Sequence, residues 1–572
     1  MIKISEKFKN NLSNLFLYKP TQEYDFSLPE TQNIKSEDNN VINNSEELDD
    51  LPLQQKIYPS LSVNLDYLKV KYNSLISKDI NFREFVLSIK DKKYSAFIFY
   101  IDGMIDAKNI NDFILEPLMG LDKSTSIDNQ EKVAVTNTIS VKKIKKFNLE
   151  DYIYNSLIPQ NSIKKAKEFK DVVSAVNMGN CALFVDTLNI AFTIEVKGYA
   201  FRNISKPENE IVIRGSHEAF VENLRTNTSL IRRIINNENL VIEETNVGKI
   251  TRTKVSICYL KNITNNDLVA EVKYRINNIN VDYLLSAGQL EQLIQDDSKV
   301  AFPQIIITER SDKACTHLLE GRVIVLLNGA PYALIMPAFF TDFLSTPEDY
   351  NLKYQYSNLL KFIRILAFII ALLLPGVYVA VSNYHHELLP TELLFAIAAS
   401  REAIPFHIIF EIILMEVSFE LIREAGLRVP SPIGPTIGIV GALILGEAAV
   451  SANIISPILI IIVALTGICS FAIPDYSLSF TLRIYRFAYI ALGYLLGLVG
   501  IGVGLFIQFA ILANLKSYGV SYLTPYLPVT NFTSNSSYFM HPIWLRENRT
   551  DALNTKKPKS QSHISMAWKK NK

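Results

Sequence analysis

The chain has few of the residues that mark a covalent or metal-held framework. Cysteine occurs four times in 572 residues, at Cys181, Cys258, Cys315 and Cys469, never as CxxC, so neither a disulfide scaffold nor a zinc site is expected. Buried, reduced thiols are the reading. Net charge is nearly absent as well: 58 Lys and Arg against 57 Asp and Glu leave +1, which removes the electrostatic argument for nucleic acid or an acidic partner. The sequence holds no GxGxxG, no phosphate loop and no GxSxG elbow, so no catalytic centre and no cofactor are expected. His385, His386 and His407 are too isolated to suggest a metal site. The N-terminal stretch MIKISEKFKNNLSNLFLYKP is broken by charges and lacks the apolar core of a signal peptide, so the large N-terminal part is expected to stay on the cytoplasmic side.

What the chain does have is asymmetry. The 48% hydrophobic content averages over residues 1–357, which read as soluble, and 358–515, which read as membranous. The expected fold class is a mixed α/β cytoplasmic region of two tandem subdomains followed by an α-helical multi-span membrane domain. Residues 1–57 read as a flexible polar segment, 58–175 and 176–350 as the two α/β subdomains, 351–515 as the membrane domain and 516–572 as a basic mobile tail. In the second subdomain, the two β-rich halves of CALFVDTLNIAFTIEVKGY flank Thr187, Leu188 and Asn189 and predict a hairpin. Asn328-Gly329 predicts a type I′ turn. The lysine patch Lys142, Lys143, Lys145 and Lys146 reads as a solvated face. The charge-dense run 214–237 carries Arg214, His217, Glu218, Glu222 and Arg225; with Glu309 and Arg310 these are the subunit-contact candidates, against a plainer reading as surface ion pairs.

Membrane spans are expected near 359–381, 433–451, 456–473 and 487–513, with charged re-entrant or interfacial helices over 389–425. Between 433 and 473 Glu447 is the only charged side chain. A carboxylate near mid-membrane costs several kcal/mol unless it faces protein, water or an ion, which makes it a functional candidate. Gly434, Gly438, Ala442 and Gly446 recur every fourth residue and lie along one helix face. Gly493, Gly497, Gly500 and Gly504 form a second small-residue stripe, and helix packing is the plain reading of both. Between Glu392 and Glu447 seven acids face three arginines. That stretch reads either as a surface-lying helix or as one lining a wet vestibule, where an acid-rich wall favours monovalent cations. The cation-path candidates are therefore Gly438, Gly441, Gly446, Glu447, Glu411, Glu416 and Glu420. The topology conflicts with itself: Arg423, Arg428, Arg483 and Arg486 favour the cytoplasmic side, and so does the basic tail.

The run IPFHIIFEIILMEVSFELIREAGLRVPSPIGPTIGIVGALILGEAAV, followed by ISPILIIIVALTGICSFAIPDYSL, resembles the A subunits of bacterial spore germinant receptors, the GerA family. The likeness extends upstream through RGSHEAFVENLRTN, FPQIIITERSDKACTHLLEGRV, ALIMPAFFTDF and Glu348-Asp349-Tyr350, covering roughly residues 60–515. Ser216 and Ser311 stand where proline is common, Ala219 where glycine is common, and Glu447 where glutamine is frequent. The resemblance implies a subunit in the spore inner membrane, forming a homo-oligomeric ring, pentameric in the family. It implies a transporter-like B subunit that binds nutrient and a lipoprotein C subunit as partners, and a nutrient-gated monovalent cation channel as function. The competing reading is a non-conducting membrane scaffold of the same receptor; a membrane enzyme is third, for want of a nucleophile or metal-ligand set.

Overall fold

The computed structural model describes residues 26–28, 56–89, 92–119, 148–198, 207, 209–428, 446–529 and 538–561. The lysine patch, Gly434, Gly438, Gly441 and Ala442 lie outside them.

The first α/β unit carries helix α1 (Leu61–Lys71), strands β1 (Ile80–Ile89), β2 (Lys92–Ile101) and β3 (Ile163–Ala166), helix α2 (Phe169–Asn177), and strands β4 (Asn180–Val185) and β5 (Ala191–Glu195). The sheet is antiparallel throughout in the order β1-β2-β4-β5-β3. Alternation along β2 sends Phe97 and Phe99 to one face, against Phe169 and Val172 of α2. Ala96 and Ile98 go to the other face, against Ile110, Ile114 and Leu118. Phe97 stacks on Phe184 of β4 with ring centres 4.7 Å apart. β4 and β5 form the hairpin that the sequence predicts, with Thr187 at φ 74° in its loop, but it belongs to the first sheet and not to the second subdomain, because β4 pairs with β2.

The second unit repeats the plan. It holds α3 (Leu224–Ile234), β6 (Leu240–Val247), β7 (Thr253–Leu260), α4 (Asn266–Asn277), α5 (Ala287–Ile294), β8 (Ile306–Thr308), α6 (Ser311–Glu320), β9 (Val323–Leu327) and β10 (Ala333–Met336). Its sheet order, β6-β7-β9-β10-β8, is the first order shifted by five strands, with α6 standing where α2 stands. One expectation is corrected here. The β9–β10 connection runs over 328–332, with Gly329 alone at positive φ, so it is a five-residue loop and not a two-residue type I′ turn.

Longer helices follow among the described residues: α7 (Tyr354–Tyr384), α8 (Thr391–Arg401), α9 (Ile408–Arg428), α10 (Pro457–Phe471) and α11 (Tyr476–Asn514). Two of them, α7 and α11, are long and apolar enough to cross a membrane. At about 1.5 Å per residue the 31 residues of α7 are ample. α10 has only 15 residues, started by the Ser456 hydroxyl cap and Pro457, and falls short of the ~20 that a full crossing takes. Of the expected span 433–451, only the helical residues 446–451 are described.

α11 differs most from expectation. Gly497 sits at φ 63°, ψ −146°, outside helical space, and the chain reverses there. A Cβ on Gly504 would meet Leu492 at 2.7 Å and Tyr489 at 2.9 Å, and the Tyr489 hydroxyl bonds Gln508, contacts impossible along a straight helix. The expected span 487–513 is thus the middle of a helical hairpin whose arms meet at Gly497. Both ends return to the second unit: Thr481 donates to the Ala301 carbonyl at 2.6 Å, and the Tyr518 amide donates to Asp296 at 2.7 Å. The conflict over sidedness disappears, because Arg483 and the C-terminal residues lie at the same end. Gly497 occupies backbone space reserved for glycine, so Gly497→Ala is expected to cost about 1–3 kcal/mol. The measurement is the apparent Tm of the detergent-purified chain.

Residues 516–529 and 538–561, read from the sequence as a mobile tail, are folded onto the second unit. Strands β11 (Lys516–Ser517) and β12 (Val520–Ser521) pair there, Tyr518 and Tyr522 are fully buried, and Arg549 donates to the Leu319 carbonyl at 2.7 Å. The apolar core of this unit runs without a break from Cys258 and Leu326 into Ala371, Leu372 and Leu482 of the helices.

Candidate functional site: a charged seam between the helices

Burying a carboxylate among apolar helices costs several kcal/mol, so each one present needs a partner. α9 carries three acids inward and each finds one. Glu416 is fully buried, and its Oε2 accepts from Arg486 Nη1 at 2.6 Å. Arg486 Nε donates in turn to the Ala371 carbonyl at 2.9 Å, tying α9 to both α11 and α7. Glu420 pairs with Arg423 at i+3 and stands 3.9 Å from Arg483 Nε. Glu411, 1% exposed, accepts from the Ser456 amide at 3.2 Å and lies 3.5 Å from Arg401. Pairing leaves remainders: Glu416 Oε1 and Arg486 Nη2 have no hydrogen-bond partner among the described residues.

Glu447 behaves differently. It is exposed on the helical residues 446–451, and no hydrogen bond or ion pair reaches it from the described residues. Gly446 is buried beside Ile460. The structure therefore brings Glu411, Glu416 and Glu420 into one arginine-neutralised seam and leaves Glu447 outside it. In the second stripe, a Cβ on Gly493 would meet the Gly376 carbonyl oxygen at 2.5 Å, so α7 and α11 touch backbone to backbone. Gly500 and Gly504 face the first arm of α11, and Gly497 forms the reversal.

The subunit-contact candidates divide. Glu309 and Arg310 are buried and bonded inside the chain: Glu309 Oε1 accepts from the amides of Asn209 and Glu210, and Arg310 reaches Asp312 at 2.7 Å and the Ser216 carbonyl at 2.8 Å. Glu218 pairs with Arg233, and Arg225 pairs with Asp102 of the first unit. Arg232, in the same charge-dense run but not among the subunit-contact candidates, holds Asp79 at 2.7 and 3.0 Å and so joins the two units. Arg214, His217 and Glu222 are exposed.

Sequence reasoning also missed the joint between the second unit and α7. Fully buried Asp349 accepts from Arg364 Nη1 at 2.6 Å, and Lys361 donates to the Tyr538 carbonyl at 2.7 Å. Next to it Arg322 forks onto Asp342 at 2.6 and 3.1 Å. Burial works to raise the Asp342 carboxyl, but the Arg322 charge outweighs it and holds the group below the usual carboxylate range. These acids stand in TDF and EDY, an acidic stretch immediately before a span, which is the signal that could have marked them.

Glu291 on α5 is pushed up to about 7, first by burial and then by the Asp475 charge at the start of α11. A carboxyl raised on folding favours the fold while protonated. Its contribution is intact below the unfolded value of ~4.3 and is lost as pH rises toward 7. Glu291→Gln is expected to raise stability at pH 8 by about 1–3 kcal/mol and to change little at pH 4, measured as apparent Tm of the two chains at both pH values.

Residues 66–552 match the family described as Bacillus/Clostridium GerA spore germination protein. The chain is similar to spore germination protein KA of Bacillus subtilis (strain 168), 35% identical over 497 residues that make up 87% of each chain. It is also similar to spore germination protein GerLA of Bacillus cereus, 33% identical over 459 residues, 80% of this chain and 89% of that one. Among solved structures, a match covers 50% of this chain and 99% of the N-terminal domain of the A subunit of the Bacillus megaterium spore germinant receptor GerK3, at 28% identity and TM-score 0.38.

Proposed function

Because this chain belongs to the GerA family of spore germination proteins, we propose that it is the A subunit of a nutrient germinant receptor that oligomerises in the spore inner membrane and conducts monovalent cations when nutrient binds. Its partners in this reading are a transporter-like B subunit that takes the nutrient and a lipoprotein C subunit. The ring, pentameric by family resemblance, places residues 433–451 of each copy around the axis, so that Gly438, Gly441 and Glu447 line the path while Gly446, the fourth expected member, packs against Ile460.

The observation that carries the reading is the contrast between Glu447 and the other acids. Glu411, Glu416 and Glu420 are matched by arginines inside one copy and serve as a fixed brace. Glu447 alone among these four is exposed with no described partner. An apolar helix keeps such a carboxylate when water or an ion faces it, and a ring supplies that. Arg214, His217 and Glu222 remain for contact with a neighbouring copy. Ligand binding on the B partner shifts the closed-to-open equilibrium through its different contacts with the two states, and the Asp349–Arg364 joint passes displacement of the second unit to α7.

Spores lacking this chain are expected to release no potassium in response to the nutrients sensed by its receptor, while their response to unrelated nutrients is kept. Normal release from such spores would remove the receptor reading.

A further inference from the structure

A cavity of about 670 Å³ opens where α5 and β8 of the second unit meet the ends of α9 and α10 and the start of α11. Arg423 and Arg483 form one wall. Arg483 is 7% exposed; its Nη2 donates to Ser479 Oγ at 3.2 Å, and its Nε, 3.9 Å from Glu420, has no hydrogen-bond partner among the described residues. Arg423 spends Nη2 on Glu420 and leaves Nε and Nη1 without a partner among the described residues. Three guanidinium nitrogens thus lack an acceptor among the described residues, while two cations share the Glu420 carboxylate. One carboxylate between two guanidinium groups leaves an excess of positive charge on this wall, which an added anion would balance.

The acids on the other walls do not meet this need, because they have donors of their own. Glu210 accepts from Lys313 Nζ at 2.7 Å, Glu309 accepts from two backbone amides, and Asp475 caps the Leu478 amide at 2.9 Å. Beside the arginines, Phe471, Tyr476 and Phe480 are more than half exposed and offer an apolar surface continuous with the helices.

We propose that Arg423 and Arg483 bind a phosphate-type anion in this cavity, and that in the membrane the anion is the phosphodiester of an acidic lipid whose acyl chains lie along Phe471, Tyr476 and Phe480. Guanidinium forks match phosphate oxygens in pairs, and basic pockets at the polar ends of membrane helices take lipid headgroups. The lipid source rests on the membrane reading of α7 and α11. The anion site does not.

The test uses the full chain in neutral detergent, with thermal unfolding followed at constant ionic strength. The probes are inorganic phosphate, dihexanoyl phosphatidylglycerol and dihexanoyl phosphatidylcholine. Phosphatidylglycerol is expected to raise the apparent Tm and phosphatidylcholine to leave it unchanged. Stabilisation by inorganic phosphate to the same extent upholds the anion site and identifies a soluble ligand. In Arg423→Gln/Arg483→Gln the apparent affinity is expected to fall about tenfold or more, with partial recovery in Arg483→Lys. Gly288→Phe is the second variant: a Cβ there meets nothing within 4 Å, and the ring fills the cavity while both arginines stay. It too is expected to abolish the shift. Absence of any shift in the wild type, or a full shift in a folded Gly288→Phe chain, overturns the proposal.

Discussion

Arg486→Ala is expected to destabilise the helical region by about 3–5 kcal/mol, because it strands a fully buried carboxylate. Glu416 already carries one oxygen without a hydrogen-bond partner, and its Arg486 contact at 2.6 Å is its one ion pair among the described residues. The same substitution frees the Ala371 carbonyl on α7, so two helix contacts fail together. The loss is measured as the fall in apparent Tm and in the amount of monodisperse chain recovered in detergent. Glu416→Leu combined with Arg486→Met is expected to regain most of that stability, since the attraction within a buried pair little more than offsets the desolvation of both ions. Wild-type stability in Arg486→Ala would mean that the pair is solvated and that the seam is not a brace.

Glu447→Ala has the second large effect, on transport rather than on folding. The side chain is exposed and makes no described bond, so its removal is expected to change stability by less than about 0.5 kcal/mol. Flux through the assembled receptor is expected to fall about tenfold, with weakened preference for cations over anions, because the acid that concentrates them is gone. Glu447→Gln is expected to keep conduction with reduced cation preference. The checks are ion flux and reversal potential in reconstituted receptor. Unchanged flux and selectivity in Glu447→Ala would remove that residue from the path.

Local pattern was legible where strands alternate. The β4–β5 hairpin follows from two β-rich halves around a turn, since each half can bury alternate residues only by pairing. The type I′ expectation at Asn328-Gly329 failed because the two residues belong to a longer loop. There the Gly329 amide bonds the Glu222 carbonyl at 2.8 Å and Asn328 Oδ1 accepts from the Leu224 amide, both partners about a hundred residues away. The glycine stripe of α11 was visible, but glycines spaced by three and four residues serve helix packing and a reversal equally well. The distinction lies in the backbone of Gly497 and in Tyr489 meeting Gln508. The acids of α9 were identified, and Glu420–Arg423 is readable from i, i+3 spacing. Glu416–Arg486 spans seventy residues, and no local rule selects that arginine. The buried tail escaped for a related reason: its basic composition suggests solvent, whereas Tyr518, Tyr522 and Arg549 are held by the second unit.

Cation flux into liposomes holding this chain with its B and C partners, measured with and without a panel of nutrients, tests the central claim most directly. The account predicts potassium flux that appears only with the cognate nutrient and disappears when Gly438 is replaced by phenylalanine. No flux from a fully assembled receptor that binds its nutrient would contradict it, leaving the chain a scaffold whose output lies in the two α/β units.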